Sequence, residues 1–255
     1  MEMMSPEEVV WDDRLSLVAS SVSEGKLGEA VAIAQRMLEE AFEGVDALAV
    51  AQMEDALGFL HEVIRLLVSQ RAWEQVDSLL TGVLAHLPAG VREDDLSYLK
   101  YHAGVAAVML RHYSRARSLL QEARATAEMA GDPELATLVI RVLAQADFET
   151  ARLDESSELS ELAWATNPVA SALCHLALVN LTAGDYTAAR KTYAECLARF
   201  GGLPLACQEE LAVQLRALET AGVKDADLAF LRRLLGGATL GATGEAQGAT
   251  PADSG

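Results

Sequence analysis

The chain has 255 residues, 51% of them apolar, only 5% aromatic and six of them proline, a balance that favours helix over strand and is long enough to bury a core. Its formal charge of −18, from 20 basic and 38 acidic residues, repels phosphate backbones and anionic membrane surfaces, so nucleic acid and membrane are excluded as expected partners. The acids recur along the chain, as at Glu7/Glu8, Glu39/Glu40, Glu93/Asp94/Asp95 and Glu155/Glu158/Glu161, and read as solvated helix faces.

The opening "MEMMSPEEVVW" has no basic region followed by a long apolar run, and no later apolar run reaches the length of a membrane span. Within it, Ser5-Pro6-Glu7-Glu8 reads as an N-cap, a first-turn proline and a capping-box glutamate, so a helix is expected to start there, over 1–11. From Asp12 to Gly201 the apolar spacing is helical throughout and is broken at intervals by short turns. The clearest break is Gly184-Asp185-Tyr186. Glycine can take the left-handed conformation that ends one helix, and Asp185 can cap the next, so the triplet is the turn of a helical hairpin.

A pattern follows each such turn: an aromatic or Leu, a small residue three on, a bulky one four later, a small one three later. In chain order it reads Leu27, Ala30, Ala34, Met37; then Trp73, Val76, Leu80, Val83; then Tyr113, Ala116, Leu120, Ala123; then, more weakly, Leu153, Ser156, Ser160, Ala163; and last Tyr186, Ala189, Tyr193, Cys196. The steps between the leading positions are 46, 40, 40 and 33 residues. In the helix before each turn stand Val18, Ile64, Gly104, Ala144 and Ala177, where a small side chain lets paired helices approach. Ile64 there implies a looser second hairpin. Pro88 and Pro168 close two of the units.

This pattern resembles the tetratricopeptide repeat, with its small residue in the first helix, its Ala opening the second and its closing Pro. Only the last step is near the family's usual length; the longer ones suit the extended helices of sensor and regulator domains. The resemblance implies an all-α, right-handed α-solenoid of about five hairpins over 12–201. Beyond it, Pro204 to Thr220 and Asp225 to Leu235 read as two capping helices within 202–235, with edges Leu211, Leu215, Leu218 and Leu228, Leu231, Leu235. The Gly/Ala/Thr-rich remainder, 236–255, is expected to be a disordered tail.

Chemistry-bearing motifs fail one by one. "HEVIR" at His61 to Arg65 puts an arginine where a zinc helix needs its second histidine, and the five histidines lack ligand spacing. "SEGK" at Ser23 to Lys26 matches Ser-x-x-Lys but lacks the companion motifs of penicillin-recognising enzymes, and is instead the first hairpin turn. The tail glycines form no phosphate-binding loop. Cys174, Cys196 and Cys207 are odd in number without a CxxC pair, which suits reduced packing thiols and a cytoplasmic location. No cofactor, no metal and no enzymatic activity are expected.

The resemblance further implies that the first helix of each hairpin lines a concave groove. Carried onto this sequence, the lining is Leu15, Ala19 and Val22; His61, Arg65 and Val68; Tyr98, Tyr101, Val105, Val108 and Met109; Arg141, Gln145 and Phe148; then Cys174, Leu178 and Leu181. Of these, His61, Arg65, Tyr98, Tyr101, Val105, Met109, Arg141, Gln145, Phe148 and Leu178 form the candidate peptide-binding set, since Tyr and Arg are typical anchors of binding surfaces. The Lys and Asn clamp of the Hsp90-tail-binding subgroup is absent. The expected function is a non-catalytic scaffold that binds a peptide or helix of another protein, amphipathic and acidic in character. The alternative is a ligand- or peptide-responsive regulatory subunit acting on a transcription factor or effector enzyme. Homo-oligomerisation stays open.

Overall fold

The structure, a computed structural model, describes residues 6–43, 50–88, 90–223 and 226–241. Among these residues there are twelve α-helices and no strand: α1 Pro6–Ser23, α2 Leu27–Glu43, α3 Val50–Ser69, α4 Trp73–His86, α5 Glu93–Met109, α6 Tyr113–Ala130, α7 Pro133–Glu149, α8 Leu153–Thr166, α9 Ala170–Thr182, α10 Tyr186–Phe200, α11 Leu205–Thr220 and α12 Ala226–Gly241. The expected N-terminal helix start is thus the first turn of the first hairpin helix itself. Its cap residue, Ser5, lies outside the described residues.

The five leading positions read from the sequence, Leu27, Trp73, Tyr113, Leu153 and Tyr186, are the first residues of α2, α4, α6, α8 and α10. Each preceding turn has one left-handed residue, at Gly25, Arg71, Arg111, Ala151 and Gly184. The amide after it reaches back five residues to a carbonyl in the preceding helix, from Lys26 to Ser21 (2.9 Å), Ala72 to Leu67 (3.0 Å), His112 to Ala107 (2.8 Å), Arg152 to Asp147 (2.8 Å) and Asp185 to Asn180 (2.9 Å). This bond satisfies a carbonyl that a helix end would otherwise leave open. At the last of these turns the Asp185 carboxylate accepts from the Ala188 amide at 2.9 Å, capping α10 as expected.

The chain forms two compact units, Met1–Ala146 and Asp147–Gly255, with α7 running from one into the other. In the first unit, α3 packs on α1 and α4 on α2, so that the first two hairpins stack helix on like helix, and α5 packs on α4. The core joins Val18, Ala30, Ala34, Leu60, Ile64, Val76, Leu80 and Leu99, all fully buried. In the second unit, α9 and α10 pair, α11 packs on α9 and α12 on α10. The helices read as caps therefore form a further hairpin in the same stacking order. Its turn repeats the others, with Gly222 left-handed and the Val223 amide bound to the Leu218 carbonyl at 3.0 Å. Their predicted edges hold: Leu211, Leu215, Leu228 and Leu231 are buried.

One boundary differs from the sequence reading. Gly236 was the expected start of the tail, whereas α12 continues to Gly241. The rest of the expected tail, 242–255, lies outside the described residues.

Candidate functional site

The residues expected to line a binding surface fall in both units, and each group is described in its own surroundings. In the first unit, α5 is amphipathic by position: Leu99, Ala103, Gly104, Ala106 and Ala107 are buried, while Tyr98, Tyr101, His102, Val105 and Val108 are half-buried and Met109 is 53% exposed. Three acids in its first turn, Glu93, Asp94 and Asp95, suit the positive end of the helix dipole. Asp95 is buried and binds the Arg92 Nε at 3.2 Å, and its other oxygen lies 3.8 Å from His61 Nε2 on α3.

From there a string of rings crosses the surface. His61 meets Tyr98 with centroids 4.3 Å apart, Tyr98 meets His102 at 4.4 Å, and His102 meets Tyr101 at 5.0 Å. Burial lowers the pKa of His61, an effect that Asp95 and Glu62 partly offset. Burial, with the charge of His61 nearby, takes His102 down to about 4. Both imidazoles are neutral at pH 7, and His61 Nε2 and His102 Nδ1 are buried without a hydrogen-bond partner. Burial raises the pKa of both tyrosines, with Glu62 adding to the rise at Tyr98 and Arg141 opposing it at Tyr101. Their phenols stay protonated and can donate.

The two arginines of the set differ. Arg65 is exposed, and its Nε donates to Glu62 Oε2 at 2.9 Å, one turn back on α3. Arg141 on α7 is half-buried, close enough to Tyr101 to shift its pKa, and has no hydrogen bond or ion pair with any described residue. Gln145, one turn further along α7, is half-buried. The structure thus brings His61, Arg65, Tyr98, Tyr101 and Arg141 to one surface, with Val105 and Met109 extending it along α5 at helical spacing. His102, Asp95 and Glu62 belong to the same surface and were missed by the sequence reading. His102 stands four residues from Tyr98, a spacing that could have found it.

In the second unit, Phe148 is half-buried and meets the His175 ring edge-on at 5.7 Å. Leu178 is only 4% exposed, and Cys174 and Leu181 are buried as well. Their expected place on an open surface does not hold, because α8, α10 and α11 all pack on α9 and take up its apolar sides. Val22, in the first unit, is likewise buried in the core.

Other reactive groups are sequestered. Ser156 Oγ lies 3.4 Å from His175 Nε2, but Ser156 is fully buried and out of reach of a substrate. The three cysteines share one core, with Cys174 and Cys196 sulfurs 3.7 Å apart. A hydrogen bond with Cys207, then burial, pushes the Cys174 thiol up and keeps it protonated, as suits a packing residue. Among the described residues no group of three or more His, Cys, Asp or Glu could hold a metal, and no helix is long and apolar enough to cross a membrane.

By its fold the protein is a tetratricopeptide-like helical-repeat protein, matching the all-α solenoids of that class. Solved structures similar to it include BtubC (BKLC) from P. vanneervenii, 14% identical, with a TM-score of 0.61 over 89% of this chain and 96% of that one. A crystal structure of TPR-like repeats from Podosopora anserina is 16% identical, with a TM-score of 0.57 over 77% of this chain and 96% of that one. The signal transduction ATPase with a tetratricopeptide repeat sensor from Pyrococcus horikoshii is 16% identical, with a TM-score of 0.59 over 94% of this chain and 38% of that much longer one. No family model and no curated protein matches the sequence.

Proposed function

We propose that this chain is a non-catalytic protein-interaction module of the cytoplasm, and that the surface built from α3, α5 and α7 docks a peptide segment or helix of a partner protein. The observation that carries this reading is Arg141. Arg141 is half-buried and has no ion pair with any described residue, and a partner's anionic group would supply one. Beside it, the rings of Tyr98 and Tyr101 and the side chains of Val105 and Met109 offer apolar area, the other half of what an amphipathic acidic segment needs.

The test is capture from the source cytoplasm with the intact chain and with a Tyr98→Ala, Met109→Glu variant of checked helicity. A partner retained by the intact chain, lost by that variant and bound directly once purified supports the reading. Partners bound equally by both place the working surface elsewhere, with the acidic faces as the alternative.

A further inference from the structure

We propose that α11 is a self-association surface: a second copy of this chain docks on it antiparallel about a two-fold axis beside Val213, with Glu209 of each copy against Arg216 of the other. This stands apart from the docking reading above, which concerns α3, α5 and α7.

α11 packs on α9 and α12, and its Cys207, Leu211 and Leu215 are buried in the core of the second unit. Its opposite face is open and partly apolar. Leu205, 70% exposed, is the most open large apolar side chain among the described residues, and Val213 on the same face is 56% exposed. The exposed Glu209 and Arg216 complete the stripe, since positions 205, 209, 213 and 216 fall within about 80° of one another around a helix of 3.6 residues per turn.

Both charges are spare. Glu209 has no hydrogen bond or ion pair with any described residue, and Arg216 donates to the Ala212 carbonyl of its own helix at 3.2 Å without an ion pair among those residues. They share a face but stand seven residues apart, beyond the three- and four-residue spacings at which side chains of one helix pair.

A second α11 laid antiparallel answers both. In a two-fold pair every contact occurs twice, residue i on j and j on i. With the axis between Ala212 and Val213, Glu209 lies opposite Arg216 of the second copy and Arg216 opposite its Glu209. Val213 packs at the axis on its own counterpart, and Leu205 covers Ala217 and Thr220 of the second copy. A parallel pair would instead set Glu209 on Glu209 and Arg216 on Arg216, which like charge disfavours. One helix face is smaller than a standard interface and two chains of charge −18 repel, so the dimer is weak, with a dissociation constant of about 10–100 µM.

The test is sedimentation velocity on the full chain at physiological salt over about 5–500 µM, with the helicity of each variant checked by circular dichroism. The wild type should pass from monomer to dimer. Glu209→Arg and Arg216→Glu each place like charges at both symmetric contacts, so each should weaken the dimer about tenfold or more. An equimolar mixture of those two variants should recover it as a heterodimer, and the chain carrying both changes should recover it as a homodimer. Val213→Glu, which costs no helix propensity, should abolish pairing across the range. A wild type that stays monomeric throughout, a dimer unmoved by Glu209→Arg and Val213→Glu, or single variants that do not recover on mixing would each overturn the antiparallel pair.

Discussion

The α5–α6 and α3–α4 hairpins share a turn and differ in how closely their helices approach. Both turns put an arginine in the left-handed conformation, Arg111 at φ 62° and Arg71 at φ 54°, and both close with the same five-residue backbone bond. Seven residues before that arginine stand Gly104 in α5 and Ile64 in α3, each wholly enclosed. In four of the hairpins the closeness of packing falls in the order α5–α6, α9–α10, α1–α2, α3–α4, and the residues at that position are Gly104, Ala177, Val18 and Ile64. In these four, a smaller side chain at that place goes with a closer approach. The turn fixes where the second helix begins, and the residue at that place goes with how near it lies.

The largest expected effect comes from emptying the loose hairpin. Ile64 on α3 is fully buried in the core, so Ile64→Ala should cost about 3 kcal/mol, read from the urea midpoint at unchanged slope. A loss well under about 1 kcal/mol would mean that the helices close over the gap, and that Ile64 does not hold them apart.

Next comes filling the tight one. A Cβ on Gly104 would lie 2.6 Å from both Cγ and Cδ2 of Leu120, which is fully buried and cannot swing out to solvent. Gly104→Ala should cost about 2 kcal/mol. Combining it with Leu120→Ala should cost clearly less than the two separate losses together, because the clash then disappears. Strict additivity would break the proposed contact.

The two hairpins should also titrate differently. His102 lies on α5 and is taken down to about 4 by burial, whereas the fall at His61 on α3 is opposed by Asp95 and Glu62. In an NMR titration His102 should take up its proton at lower pH than His61. The sign for stability follows from the unfolded chain, where histidine titrates at 6.5 and binds protons first. Stability contributed by neutral His102 is complete above that value and is lost as pH falls towards about 4. Between pH 6.5 and about 5.5 this amounts to about 1 kcal/mol. His102→Gln should flatten that part of the pH profile; an unchanged slope would show that His102 is not the group responsible.

Much of this was open to sequence reasoning because it depends on near neighbours. The residue after each turn, the buried Ala30, Val76, Ala116, Ser156 and Ala189 three positions on, and the Asp185 cap all follow from helical spacing and backbone hydrogen bonding. Even Ile64 announced a loose hairpin. What depends on packing from several sides did not show. Leu178 looks like an available apolar residue until α8, α10 and α11 close around α9. Arg65 and Arg141 look equivalent in sequence, although Glu62 at helical spacing could have marked the first as paired; that the second has no ion pair among the described residues depends on every element around it. The six residues of α12 past Leu235 include three glycines that disfavour helix, so propensity ended it too soon.

The smallest effect tests what the two hairpins share. A side chain in the left-handed conformation is strained, and glycine relieves the strain while loosening the unfolded chain, so the net gain is modest. Arg71→Gly and Arg111→Gly should each stabilise by about 0.5 kcal/mol, a small rise in melting temperature. Both side chains are exposed and have no ion pair among the described residues, so little else is lost. The informative result is the equality of the two gains. If the turn acts independently of the interior, the change at Arg71 beside the loose pair should match that at Arg111 beside the tight one. A gain at Arg71 with a loss at Arg111 would show that close packing of α5 on α6 reaches the turn, and that approach and turn geometry are set together rather than by separate residues.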